Sequence, residues 1–218
     1  MIKPPSAAWV QTPTPDLAKS RHFYEALGFK EVEGSPNFFW DGRVCVEVSP
    51  HPHARTGIKV SADFLADECS IKFPAVDPNG VKLYSDTEPD RKLPTMGEPF
   101  GKLGRHAVLS VESHDVSGTV AWWEAKGFTA KVRNYGAPYF ELGGGLELEL
   151  MKQGCCGHFS PSPGLTYFNS GENAKVIAEI RKAEIPITQE LTMFSDDGSV
   201  KDVIIYDPGL TGFFVFND

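Results

Sequence analysis

The sequence predicts an α+β fold built from tandem βαβββ modules, with curved mixed sheets that form cups. Two helix-like segments repeat one pattern of cap, aromatic pair and glycine stop, alternating strands follow each of them, and a Pro- and Gly-rich stretch divides the chain near its middle.

The repeat is the primary signal, because it defines the unit from which the fold is assembled. Asp16 to Phe29 and Asp115 to Phe128 both open on Asp. Both place an aromatic pair seven and eight residues later (Phe23-Tyr24, Trp122-Trp123) and close on Glu-Ala-x-Gly-Phe. Asp suits a helix N-cap, and Gly28 and Gly127 suit the left-handed position that ends a helix. Leu17, Tyr24 and Leu27 share one helical face, as do Val116, Val120 and Trp123.

Strands flank each helix. Trp9 to Thr12 and His106 to Val111 precede the two helices; Phe39-Trp40-Asp41-Gly42 leads into Val44 to Val48, and Phe140-Glu141-Leu142-Gly143 into Leu146 to Leu150. Weaker copies follow the strong ones. Gly164 to Asp218 carries a strand, an amphipathic helix with Val176, Ile177, Ile180 and Ala183 on one side, and three further strands. Gly57 to Asp86 is a reduced copy with a hairpin at Asp77-Pro78-Asn79-Gly80, and only seven residues separate Asp63 from Ile71, too few for the same helix. Residues 1–86 and 105–218 therefore form two halves, with 87–104 as the linker.

Bulk composition excludes several classes. The chain has 218 residues, 41% apolar and 23% charged, an ordinary globular balance. Its net charge of −8, without a Lys/Arg cluster, leaves no electrostatic footprint for nucleic acid. No apolar run approaches the roughly 20 residues of a membrane helix, and Met1-Ile2-Lys3-Pro4-Pro5 does not read as a signal peptide. Cys45, Cys69, Cys155 and Cys156 read as reduced thiols, so the expected location is cytoplasmic. Cys155-Cys156-Gly157-His158 lacks the paired spacing of a zinc site and reads as a loop. A homodimer is the default assembly.

A strand followed by Asp-x-x-x-Ser-x-x-Phe-Tyr-x-x-Leu-Gly-Phe, here Asp16, Ser20, Phe23, Tyr24, Leu27, Gly28 and Phe29, resembles the opening of a module of the vicinal oxygen chelate superfamily, which includes glyoxalases, bleomycin-resistance proteins and extradiol dioxygenases. Asp77-Pro78-Asn79-Gly80 resembles the closing hairpin of such modules, and Asp207-Pro208-Gly209 matches it in the last copy. The resemblance implies that paired modules curve into a cup holding a small molecule. Four modules resemble the extradiol dioxygenase arrangement in a shorter chain.

Strand alternation assigns the cup faces independently of the family. Leu146, Leu148 and Leu150 should clamp the helix, leaving Glu147 and Glu149 in the cup. Ala107, Leu109 and Val111 should face the helix, leaving His106, Val108 and Ser110. In the first half Trp9, Gln11 and Glu47 face the cup. Tyr84 and Phe214 complete the candidate lining.

The resemblance also implies a His or Gln on the first strand and a Glu on the last strand of each module, together holding one divalent metal. His106 and Glu149 are the candidate ligands, for Zn, Fe, Mn or Ni. His106 reaches the ligand position only if the loop before Asp115 is two residues longer than its counterpart before Asp16. Trp9 stands at that position in the first module and Tyr84 replaces the Glu of the second. The first-strand candidates of the fourth are Thr166 and Tyr167, and its last strand is Phe213 to Phe216. A polar His/Glu pair lining a wet cavity is the alternative. His22, His51, His53 and His114 read as surface residues. The favoured expectation is a protein that binds a small apolar or aromatic molecule without a complete metal site. The alternatives are a metal-dependent lyase, isomerase or dioxygenase using His106 and Glu149, and a degenerate structural or regulatory module. If His106 and Glu149 meet water, their removal should cost little stability, whereas Trp123 should be a core residue.

Overall fold

The computed structural model describes residues 7–61, 72–86, 91, 93–94, 97–155 and 161–217. The short connection between Asp63 and Ile71, Cys69, and Cys156 to His158 lie outside the described residues. The first half runs β1 (Ala8–Pro13), α1 (Leu17–Ala26), β2 (Lys30–Glu31), β3 (Phe38–Trp40) and β4 (Cys45–Ser49), then β5 (Gly57–Val60), β6 (Ala75–Val76) and β7 (Lys82–Ser85). The second half runs β8 (His106–Ser113), α2 (Val116–Glu124), β9 (Lys131–Val132), β10 (Pro138–Gly143) and β11 (Leu146–Lys152). It continues with β12 (Gly164–Phe168), α3 (Asn173–Lys182), β13 (Ile187–Leu191), β14 (Asp202–Tyr206) and β15 (Gly212–Phe216).

Each half forms one curved, open mixed sheet, ordered β2-β3-β4-β1-β5-β7-β6 and β13-β14-β15-β12-β8-β11-β10-β9. In every module the first strand runs parallel to the last, as in β1 with β4 and β8 with β11. Modules join antiparallel through their first strands, β1 to β5 and β8 to β12. The first module thus pairs with the second and the third with the fourth.

The helix boundaries follow the predicted chemistry. Asp16 accepts N–H bonds from Ala18 and Lys19 at 3.0 and 3.1 Å, and Asp115 accepts one from Gly118 at 2.9 Å. Gly28 and Gly127 take φ of 83° and 95°, and the next residues, Phe29 and Phe128, donate back to Tyr24 and Trp123. This is a Schellman stop. The fourth module repeats it without glycine: Glu184 takes φ of 55° and Ile185 donates to the Ile180 carbonyl.

Leu146, Leu148 and Leu150 are buried on the helix side with Val10, Val46, Val48, Leu109 and Val111. One core spans both sheets rather than one under each half. From α1, the Phe23 and Tyr24 rings approach Phe213 of β15 at 5.7 and 6.1 Å. Polar bonds tie the halves reciprocally. The Tyr24 hydroxyl donates to Asp207 at 2.9 Å, and the Tyr167 hydroxyl to Asp41 at 2.7 Å. Asn79 donates to Thr119 at 3.2 Å.

Asp41, Asp77 and Asp207 hold equivalent turns, each accepting two backbone N–H bonds on one carboxylate oxygen. The third module has Leu142 in place of this Asp, and its turn relies on Gly143, Gly144 and Gly145, all at positive φ. Burial raises all three carboxyls above the usual range, Asp207 to about 6, against the hydrogen bonds that lower them. The segment joining the halves is pinned at its described end. Phe100 and Gly101 donate to the Asp41 carbonyl, Lys102 donates to the Leu27 carbonyl, and Leu103 is buried.

Candidate functional site

The two cups have different fates. In the first, Trp9 is fully buried with Phe38 and Cys45, and Trp40 and Leu93 pack against them. Trp9 Nε1 donates to Glu47 at 2.8 Å, and Lys59 Nζ donates to the other oxygen of Glu47 at 2.9 Å. Arg91 lies 4.5 Å over the Phe38 ring and bonds Asp86 through Nε at 2.5 Å. Gln11 is buried, and the Tyr84 hydroxyl is engaged with the backbone of Arg55 rather than with a cavity. The chain itself fills this cup, so Trp9, Gln11, Glu47 and Tyr84, expected to line a ligand pocket, are instead packed or bonded within the protein.

The second cup is open. A cavity of about 660 Å³ has His106, Ser110, Glu149 and Phe214 in its lining, together with Arg133, Tyr135, Met151, Thr166, Phe168 and Phe216. Three phenylalanines make one wall: Phe216 lies 5.8 Å from Phe168 and 5.4 Å from Phe214. Register places the floor. Glu149 stands opposite Ser110 across β11 and β8, and Thr166 stands opposite Val108 and Phe214 across its two neighbours. Ser110 donates to Thr166 at 2.8 Å, which leaves the Thr166 proton for an acceptor in the cavity.

Arg133 organises the acids. It sits in the turn between β9 and β10, 3.8 Å from the Tyr139 ring. Its Nε donates to Glu149 at 2.9 Å, and its terminal nitrogen bonds Glu147. Tyr135 donates its hydroxyl to Glu149 at 2.8 Å. Glu149 is consequently 3% exposed rather than wet. His106 is half-exposed and pairs with Glu147 at 3.4 Å. Burial acts to raise the Glu147 carboxyl, but the His106 and Arg133 bonds outweigh it and hold it below the usual range. Burial and Glu149 together push the Tyr135 phenol up.

A divalent metal does not fit these residues. The loop before Asp115 is not lengthened: Thr14 bonds Ser20, and Ser113 bonds Thr119, each hydroxyl two residues before its helix cap. Val108 therefore matches Trp9, and His106 lies two residues upstream of the ligand position. The structure pairs His106 with Glu147 and gives Glu149 to Arg133 and Tyr135. All three last-strand glutamates already carry a cation, Lys59 on Glu47 and Arg133 on Glu147 and Glu149. A second positive charge there would be repelled. Among the described residues no group of three His, Cys, Asp or Glu is placed to hold a metal.

Arg133 and Tyr135 escaped the sequence reading, although one signal pointed to them. Two carboxylates side by side on a half-buried face require a cation, and Arg133 is the basic residue in the turn between β9 and β10.

No family model matches the sequence, and no curated protein sequence matches it. Solved structures do. The chain is similar to BphC, a halotolerant catechol dioxygenase, at a TM-score of 0.50 and 15% identity, covering 100% of this chain and 88% of that one. It is similar to an extradiol ring-cleaving dioxygenase from B. fuscum at a TM-score of 0.52 and 13% identity, covering 100% and 74%. It is also similar to a xylose isomerase-like TIM barrel/4-hydroxyphenylpyruvate dioxygenase fusion protein at 0.52 and 13%, covering 99% and 50%. The fold is that of these dioxygenase structures: tandem βαβββ modules in two curved, open mixed sheets. No helix among the described residues is long and apolar enough to cross a membrane.

Proposed function

We propose that the chain binds a flat, largely apolar small molecule in its second cup without a metal. The observation that carries this reading is the open cavity walled by Phe168, Phe214 and Phe216, with the Ser110–Thr166 hydroxyl pair at its floor. Its volume of about 660 Å³ lies within the range of small-molecule sites. Aromatic walls favour a planar ligand, and the Thr166 proton selects a ligand bearing an acceptor oxygen. Arg133, locked between Glu147 and Glu149, replaces the family's metal as the centre that orders the cup's polar side.

Thermal shift with 1-naphthol as the probe tests the reading. A ligand that binds only the folded state raises the melting temperature, by about 2.7 kcal/mol of stability at a hundredfold excess over Kd. The shift should shrink in Thr166→Val and in Phe214→Ser. A flat response in the wild type, or an unchanged one in both variants, would remove the proposal. Stoichiometric metal in the purified protein, lost in Glu149→Gln, would restore metal-dependent lyase, isomerase or dioxygenase chemistry.

A further inference from the structure

We propose an oxyanion site, for phosphate or a phosphate ester, in the cleft between the two halves and outside the cup. The cleft is a cavity of about 480 Å³ whose lining includes Arg43, Lys102, Arg105, Glu98, Glu172 and Asn169. Three cations face two carboxylates there, in a chain whose net charge is −8.

Arg43 carries the inference. It is half-buried and lines the cleft, and its side chain makes no hydrogen bond or ion pair among the described residues. A guanidinium left without a protein acceptor takes its partners from water or from a bound anion. Asp41, two residues away, is not available. One of its oxygens holds the Arg43 and Val44 backbone N–H groups, and the other accepts the Tyr167 hydroxyl. Lys102 bonds the Ala26 carbonyl at 2.9 Å, which uses one of its three donors. Arg105 is held only loosely, 3.6 Å from Glu172.

The walls approach closely. A Cβ on Gly42 would stand 2.4 Å from the Glu98 carbonyl, and one on Gly104 would stand 2.4 Å from the Asn169 side chain. The first turn of α3 also lines the cleft, and its N-cap residue Glu172 makes no side-chain cap bond. Two guanidinium groups beside an ammonium suit a tetrahedral anion with several acceptor oxygens.

Calorimetric titration of the full chain in chloride buffer, with inorganic phosphate and separately with phenyl phosphate, tests this. One saturable site per chain is expected, weakened at least about tenfold by Arg43→Met. Binding of phenyl phosphate as well as phosphate assigns the site to an organic phosphate ester, and binding of phosphate alone assigns it to the free anion. Glu98→Gln, which removes a like charge from the cleft, should tighten binding, and it decides the matter should Arg43→Met fail to fold. Absence of saturable heat with both probes overturns the site. So does wild-type affinity in Arg43→Met, or unchanged or weaker binding in Glu98→Gln. The naphthol response of the cup should be the same in Arg43→Met as in the wild type, which separates the two proposals.

Discussion

Glu149 illustrates how a correct facing can carry a wrong role. It points into the cup as alternation requires, yet Arg133 and Tyr135 cover it. Glu149→Ala should therefore cost about 2–3 kcal/mol in urea unfolding, because it strips one partner from a half-buried guanidinium and one from a phenol. His106→Ala should change stability by no more than about 0.5 kcal/mol, since His106 is half-exposed. Equal losses in the two variants would contradict this arrangement. Asp207 makes a different prediction. Its carboxyl sits at about 6 when folded, against about 3.9 unfolded. The folded state thus holds the proton more tightly, and acid favours folding at this site. Its contribution is greatest below about pH 4 and is lost as pH rises to about 6, amounting to about 2–3 kcal/mol. Unfolding free energies measured across that interval should fall with pH in the wild type and show less of that slope in Asp207→Asn.

Among the elements, the helices were the most legible. Asp caps, aromatic pairs and glycine stops are local chemistry, so α1 and α2 could be placed by inspection. Trp123 is 1% exposed, 5.2 Å from Phe128 and 5.7 Å from Phe140. Trp123→Ala should cost about 3–5 kcal/mol by leaving a cavity, measured as a shifted denaturation midpoint; a negligible shift would mean that α2 turns another face inward. The fourth module was harder to recognise because Glu184 and Leu210 adopt positive φ in place of glycine. The sharp stops are there without their usual residue. The third module's final hairpin differs for the opposite reason: it lost the Asp, and three glycines hold the turn instead.

For the molecule as a whole, the shared core changes what the two repeats mean. The sequence divides into two halves joined by residues 87–104, and in the folded chain Phe213, Tyr167 and Trp123 lie in one cluster with Val10, Val46 and Phe39. The full chain should therefore unfold in a single transition, with far-UV dichroism and tryptophan fluorescence coincident, since Trp9 and Trp40 report one half and Trp122 and Trp123 the other. Two resolved transitions would indicate independent halves. A fragment of residues 105–218 alone should not reach native dichroism, because its helix-side face would meet water.

Repetition, caps and alternation are properties of neighbours in the chain, and they sufficed for the module, the count of modules and the facing of the first and last strands in the first and third modules. Which cup stays open, and which cation neutralises which acid, depended on residues brought together across long stretches of sequence: Arg91 and Leu93 over Phe38 and Trp9, and Arg133 between Glu147 and Glu149. No pattern of spacing encodes those meetings. They follow from where folded loops return to the sheets, and charge and volume are balanced only once they have done so.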